Sequence, residues 1–100
     1  MQEYLFIHKT IENKCLIKHN VLENEIREAW QSYDGTVLVT DDREEHRTNP
    51  PTVWFVVKTS GVRLLKIIAV IDSDGVAYLK SAYDANQKVI NLFRKMGGVI

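Results

Sequence analysis

"TVWFVVKTSGVRLLKIIAVIDSDGVAYLKS", residues 52–81, decides the fold of this 100-residue chain. It holds three β-rich runs, "TVWFVVK" (52–58), "VRLLKIIAVI" (62–71) and "VAYLKS" (76–81), separated only by "TSG" and "DSDG". Turns that short join strands lying side by side in opposite directions, so the stretch predicts an antiparallel meander. Within it "LLKIIAVI" (64–71) is nearly continuous in hydrophobicity and is expected at the centre of the sheet.

On the upstream side, "EYLFIH" (3–8) reads as a further strand. From Lys9 the spacing turns helical, with Ile11, Cys15 and His19 four apart and Leu16 beside them; Asn20 is placed to end this helix in a left-handed turn. A second helix carries Leu22, Ile26 and Trp30 on one stripe and leaves Glu23, Glu25 and Glu28 for solvent. "DG" at 34–35 then turns the chain into the strand "TVLVT" (36–40). Downstream, Asp84 with Gln87 three residues later predicts a capping box. Ala85, Val89 and Phe93 form the apolar face of the helix it opens, and "GG" at 97–98 stops it. The expected order is β-α-α-β-β-β-β-α. That is an α+β fold, an antiparallel sheet of four to five strands with about three helices packed on it, in a single domain spanning residues 1–100.

Bulk composition narrows the function. A content of 45% hydrophobic and 26% charged residues is that of an ordinary globular domain. The longest apolar run is too short to cross a bilayer and the N-terminus lacks signal-peptide features, so no membrane partner is expected. A lone cysteine, Cys15, excludes an internal disulfide and fits a reducing cytoplasm. Net charge is zero, which argues against a general nucleic-acid coat. The halves differ, however: residues 1–50 hold 6 Lys/Arg against 10 Asp/Glu, a net −4, and residues 51–100 hold 7 against 3, a net +4.

No cofactor signature appears. His8, His19, His46 and Cys15 lack zinc-site spacing, and there is no glycine-rich phosphate loop or nucleophile elbow. Basic residues carry more information. Lys66 shares a strand face with Leu64 and Ile68, Lys80 shares one with Val76 and Tyr78, and Lys58 ends its strand. Together they read either as a phosphate-binding sheet face or as lysines that snorkel to water from a half-exposed sheet. Lys18 and His19 close the first helix; they are either a phosphate clamp and proton carrier or cations favoured by the helix dipole. "DDREEHRTNPPT" (41–52) reads either as a solvated loop or as one that brings Arg43, His46 and Arg47 to a substrate. The double proline ends that loop, because proline cannot donate to a ladder.

These residues resemble a family. "CLIKHNV" (15–21) is similar to the "NxxKHGV" segment of BrnT-type toxins, the ribonuclease partners in bacterial type II toxin–antitoxin pairs. The likeness continues through the glutamate-rich helix, "VRLLKIIAVI", and "YLKSAYDANQKVINLFRK" (78–95), which is similar to the family's strand ending in "ISAR" followed by a helix. The combination "DDREEHR…PPTVWF…LLK…LKSAY" resembles a subgroup of small bacterial proteins sometimes labelled ADP-ribosyl-dinitrogen-reductase hydrolase. Three positions depart: Cys15 stands for the asparagine, "IHK" (7–9) for "WDP", and Tyr83 for the arginine after "SA".

The resemblance implies a RelE-like, metal-independent endoribonuclease that acts on RNA, free or on the ribosome, and is silenced by a small DNA-binding antitoxin. In that chemistry a 2′-hydroxyl attacks the neighbouring phosphate. His19 or His46 would carry the proton. Lys18, Lys66, Arg43 and Arg47 would hold phosphate charge, with Lys58 and Lys80 alongside. Trp54 or Tyr83 would stack a base. Two other readings compete: a non-enzymatic protein- or RNA-binding module, and an enzyme acting on a nucleotide or ADP-ribose group held by Arg43 and Arg47.

Overall fold

The computed structural model describes residues 1–41 and 50–100. Its elements run β1 (Tyr4–Phe6), α1 (Lys9–His19), α2 (Glu23–Ser32), β2 (Val39–Thr40), β3 (Thr52–Lys58), β4 (Leu64–Ile71), β5 (Val76–Asp84) and α3 (Gln87–Lys95). The fold is α+β, with the expected element order. The five strands form one sheet in the order β1-β5-β4-β3-β2, so β4 is central. All neighbours pair antiparallel except β1, which joins the far edge parallel to β5 through Tyr4↔Val76 and Phe6↔Tyr78. Side-chain periodicity fixes which residues face the core but not which edge a strand joins, so this parallel seam was not legible in the sequence.

One sheet face is dry. Phe55, Leu65, Ile67, Ala69, Leu79 and Ala82 are buried on it, and Trp30 and Tyr33 pack on Phe55 with ring centroids 5.7 and 4.1 Å away. Burying one such aliphatic or aromatic side chain contributes about 2 kcal/mol. Helix α2 supplies Ile26, Ala29 and Trp30 to this layer. It also closes the outer edge of β1: Trp30 Nε1 donates to the Glu3 carbonyl at 2.8 Å and an Arg27 guanidinium N–H to that of Leu5 at 2.9 Å. Capping these carbonyls blunts an edge that would otherwise pair with another chain.

The opposite face carries Trp54, Val56, Lys66, Ile68, Tyr83 and Tyr78, and α3 covers part of it, with Phe93 6.1 Å from Trp54. Beyond Tyr78, β5 has no β1 residue beside it. Helix α1 takes that place. Its Lys14 ammonium donates to the Lys80 carbonyl at 3.2 Å, and Cys15 is fully buried.

Several boundaries differ from the sequence reading, each for a local reason. Asn20 ends α1 in the left-handed conformation as expected, with φ 54°. By contrast, β5 runs on to Asp84, so Asp84 does not cap α3; Asn86 does, accepting from the Val89 N–H at 2.8 Å. Tyr83 therefore lies inside a strand rather than after it. Leu22 is the N-cap position of α2 and exposed, leaving Ile26 and Trp30 as the buried stripe. In the β3–β4 turn the residue with positive φ is Val62, at 65°, not Gly61. A β-branched side chain is strained there. Only Val39–Thr40 of the expected strand 36–40 pairs with β3. At the other end Gly98 closes α3 by donating to the Phe93 carbonyl; a Cβ at Gly98 would lie 2.2 Å from the Phe93 ring, so only glycine fits.

Candidate functional site

Two cations three residues apart, Arg63 and Lys66, organise opposite sides of β4. Arg63 is consumed by structure. Its guanidinium donates to both carboxylate oxygens of Asp84, to Glu25 at 3.3 Å, and to the carbonyls of His19 at 3.1 Å and Asn20 at 2.8 Å. It thus ties the end of α1, the start of α2 and the end of β5 into one knot, satisfying helix-end carbonyls that lack intrahelical partners. The hydrogen bond from Arg63 holds the Asp84 carboxyl below its ordinary range, and Asp84 in return raises the guanidinium. Glu25 is drawn into the knot and also accepts from the Leu22 N–H, so it is not a free surface carboxylate. The Glu28 carboxylate accepts from the Ser60 N–H at 2.8 Å, which lowers its pKa.

Lys66 is organised differently. Its register partners are Val56 on β3 and Tyr83 on β5. The ammonium lies 4.5 Å from the Trp54 ring centroid and 5.7 Å from that of Tyr83, held by the negative ring faces. Among the described residues no carboxylate pairs with it. On its far side the Tyr83 ring meets the imidazole of His19, centroids 5.2 Å apart. Imidazole, phenol, ammonium and indole therefore form a continuous row from the end of α1 across β5, β4 and β3. A cleft of about 380 Å³ opens at its Trp54 end, lined by Val39, Asp41, Trp54, Lys66, Leu92 and Met96.

The sequence candidates thus divide. His19, Tyr83, Lys66 and Trp54 come together. Trp54 is only 7% exposed, packed on Phe93 and facing Lys66, so it is not an open stacking platform for a base. Lys18, next to His19 in the last turn of α1, is exposed. Lys58 and Lys80 are exposed on the same sheet side as Lys66, at the end of β3 and in the middle of β5. Arg43, His46 and Arg47 lie outside the described residues. His8 has a structural role: its Nδ1 accepts from the Thr10 N–H at 3.2 Å and caps α1.

Sequence reading missed Arg63 as the organising cation. The available signal was an arginine next to a hairpin turn with Asp84 at the end of the next strand, a pairing that only the register reveals. It also missed the exposed Phe6 ring beside Tyr78. No group of three or more His, Cys, Asp or Glu side chains that could hold a metal ion forms among the described residues, and no helix among them is long and apolar enough to cross a membrane. Compared with known proteins, the chain matches no family model, no curated protein and no solved structure.

Proposed function

We propose that the chain is a metal-independent endoribonuclease of the kind that serves as the toxin in bacterial type II toxin–antitoxin pairs. The observation that carries this reading is the row His19–Tyr83–Lys66–Trp54, in which a proton carrier and an ammonium flank one aromatic ring. Neutral imidazole at His19 takes the proton of a 2′-hydroxyl as its oxygen bonds to the adjacent phosphorus. The bond to the 5′-oxygen then breaks, leaving a 2′,3′-cyclic phosphate; that oxygen takes a proton from water to give a free 5′-hydroxyl, and His19 returns its proton to the hydroxide so formed. Lys66 opposes the charge that builds on the phosphorane-like oxygens. Tyr83 stacks on a base or donates its hydroxyl, in the place where the resembling toxins carry arginine. Lys18, at the exposed end of α1, adds positive charge beside His19. On this reading the partner is a small DNA-binding antitoxin that silences the Lys66 face, and the target is RNA, free or on the ribosome.

A non-catalytic RNA-binding module on the same fold is the second reading, favoured by Tyr83 standing where an arginine is expected. One experiment separates them. Purified chain is incubated with labelled RNA in excess chelator, and the ends of the products are analysed. Endonuclease action predicts fragments ending in 2′,3′-cyclic phosphate, with His19→Ala slowing cleavage by roughly 10²–10⁴-fold. RNA that is bound but left intact supports the module; cleavage unchanged in both His19→Ala and Lys66→Ala removes this site from the chemistry.

A further inference from the structure

The proposed row occupies one end of its sheet face, and the other end is bare. Phe6 and Tyr78 are register partners across the parallel β1–β5 seam, with ring centroids 5.8 Å apart at 60°. They are 46% and 42% exposed, and the neighbouring Val70 and Val76 are half-buried. Large rings in water without a cover mark a surface that binds something.

The register supplies the rest. Ile68 pairs with Ser81 and Ala69 with Leu79, so Lys80 is the extra residue of a β-bulge. Such a bulge re-aims a side chain and leaves it outside the ladder. Here it sets an exposed lysine between Tyr78 and Tyr83, so this face of β5 alternates ring, cation, ring. Among the described strand residues facing this side, the charged ones are Lys58, Lys66 and Lys80, all cations. The four helix-borne glutamates are engaged elsewhere: Glu25 and Glu28 by Arg63 and Ser60, and Glu12 and Glu23, in the cleft between α1 and α2, by Lys9 and Arg27. At the far end of the face, in the turn before β5, the half-buried Asp72 accepts through Oδ1 from the N–H groups of Asp74 and Val76, and Asp74 is exposed.

We propose that this open half of the face is the track of a single RNA strand, whose unpaired bases stack on Phe6 and Tyr78 while its phosphates run along Lys80 toward Lys66. The inference rests on the RNA-directed reading of the Lys66 row and extends it to a second subsite along β5. Stacking on exposed strand aromatics suits any base, because every base has a ring face, and the lysines match the phosphate charge. A duplex keeps its bases stacked inside and offers no ring face to Phe6 or Tyr78, so the ligand is single-stranded. Tyr78 and Tyr83 face Val70 and Lys66, four residues apart on β4, a separation of about 13 Å at roughly 3.3 Å per residue, room for a short run of nucleotides.

The test uses the whole chain and a fluorescent single-stranded RNA made resistant to cleavage by 2′-O-methyl groups, with the matching duplex as control. Binding is followed by anisotropy at two salt concentrations. The inference expects the single strand to bind more tightly than the duplex. It expects the double variant Phe6→Thr, Tyr78→Thr, which keeps β-forming residues in both strands, to lose about 10-fold or more in affinity. It also expects photocrosslinks from RNA to the peptides holding Phe6 or Tyr78 in the unaltered chain, a readout that needs no variant. Unchanged affinity in a folded double variant, or crosslinks confined to residues 18–19 and 66, overturns the second subsite and leaves the proposed function standing. Loss of cleavage with retained, Phe6- and Tyr78-dependent binding removes the proposed function and leaves the subsite. If no RNA binds and a protein partner protects both rings, the face is a protein interface and the inference is wrong.

Discussion

Arg63 and Lys66 sit on the same hairpin arm, yet the fold treats them in opposite ways. Arg63 gives its N–H groups to two carboxylates and two helix-end carbonyls. Lys66 keeps its charge over two rings and forms no ion pair with a carboxylate among the described residues, although Asp41 lines the same cleft. A cation whose donors are all satisfied by the protein has nothing left for a ligand. One resting on aromatic faces retains three N–H donors that a phosphate can take up. Positive charge therefore serves the fold on one side of the molecule, and on the other it is available.

Substitutions can break that division. The largest expected effect is on chemistry: Lys66→Ala should lower the rate of RNA cleavage by roughly 10²–10³-fold by removing a transition-state charge, while the loss of its contacts with the Trp54 and Tyr83 rings costs only about 1 kcal/mol in stability. A rate loss that merely tracks a loss of folded protein would contradict this. Next comes Arg63→Met, which strands Asp84, Glu25 and the carbonyls of His19 and Asn20. Hydrogen bonds to charged groups are worth about 1.5–3 kcal/mol each, and partial exposure reduces their sum, so a loss of about 2–3 kcal/mol in unfolding free energy is expected by urea titration. Cleavage per folded molecule should fall less than in Lys66→Ala.

Acidity probes the same knot. The Asp84 carboxyl has a lower pKa in the folded chain than in the unfolded one, because Arg63 donates to it. Its contribution is therefore fully present above the ordinary carboxylate pKa of about 3.9 and is lost as pH falls through the lower folded value. The stability gap between the unaltered chain and Asp84→Asn should be open at pH 7 and narrow below about pH 4; a constant gap would mean that the ion pair adds nothing. The smallest effect concerns the turn that launches β4. Val62→Asn, which tolerates a left-handed backbone, should raise stability by about 1 kcal/mol in thermal unfolding, with no change in RNA affinity.

The contrast also explains how much the sequence disclosed. The meander was legible because "TSG" and "DSDG" force neighbouring strands together, and the centrality of "LLKIIAVI" followed from its unbroken hydrophobicity. The C-terminal end of α1 was equally local, fixed by Asn20, whereas His8, read as the last residue of the first strand, instead caps the start of α1. What escaped depends on register. Nothing in the spacing of Arg63 and Asp84 announces that the β4–β5 ladder sets them together, or that Asp84, engaged there, cannot cap α3. Within the site, Lys66 and Tyr83 were both singled out, but their direct opposition and the approach of His19 needed the pairing and the placement of α1 at the open edge of β5. The bulge at Lys80 shifts the inward positions of β5 from Ala77 and Leu79 to Ala82, but the small Ser81 and Ala82 make that break in alternation faint in the sequence.

The division of labour between the two sides is most directly tested by mapping amide and side-chain chemical shifts as a cleavage-resistant single-stranded RNA is titrated into the chain. The account predicts perturbations at His19, Lys66, Tyr83, Lys80, Tyr78 and Phe6, with Glu25, Glu28 and Arg63 unmoved. Shifts gathered on the α1–α2 side around Arg63, or none at saturating RNA, would contradict it.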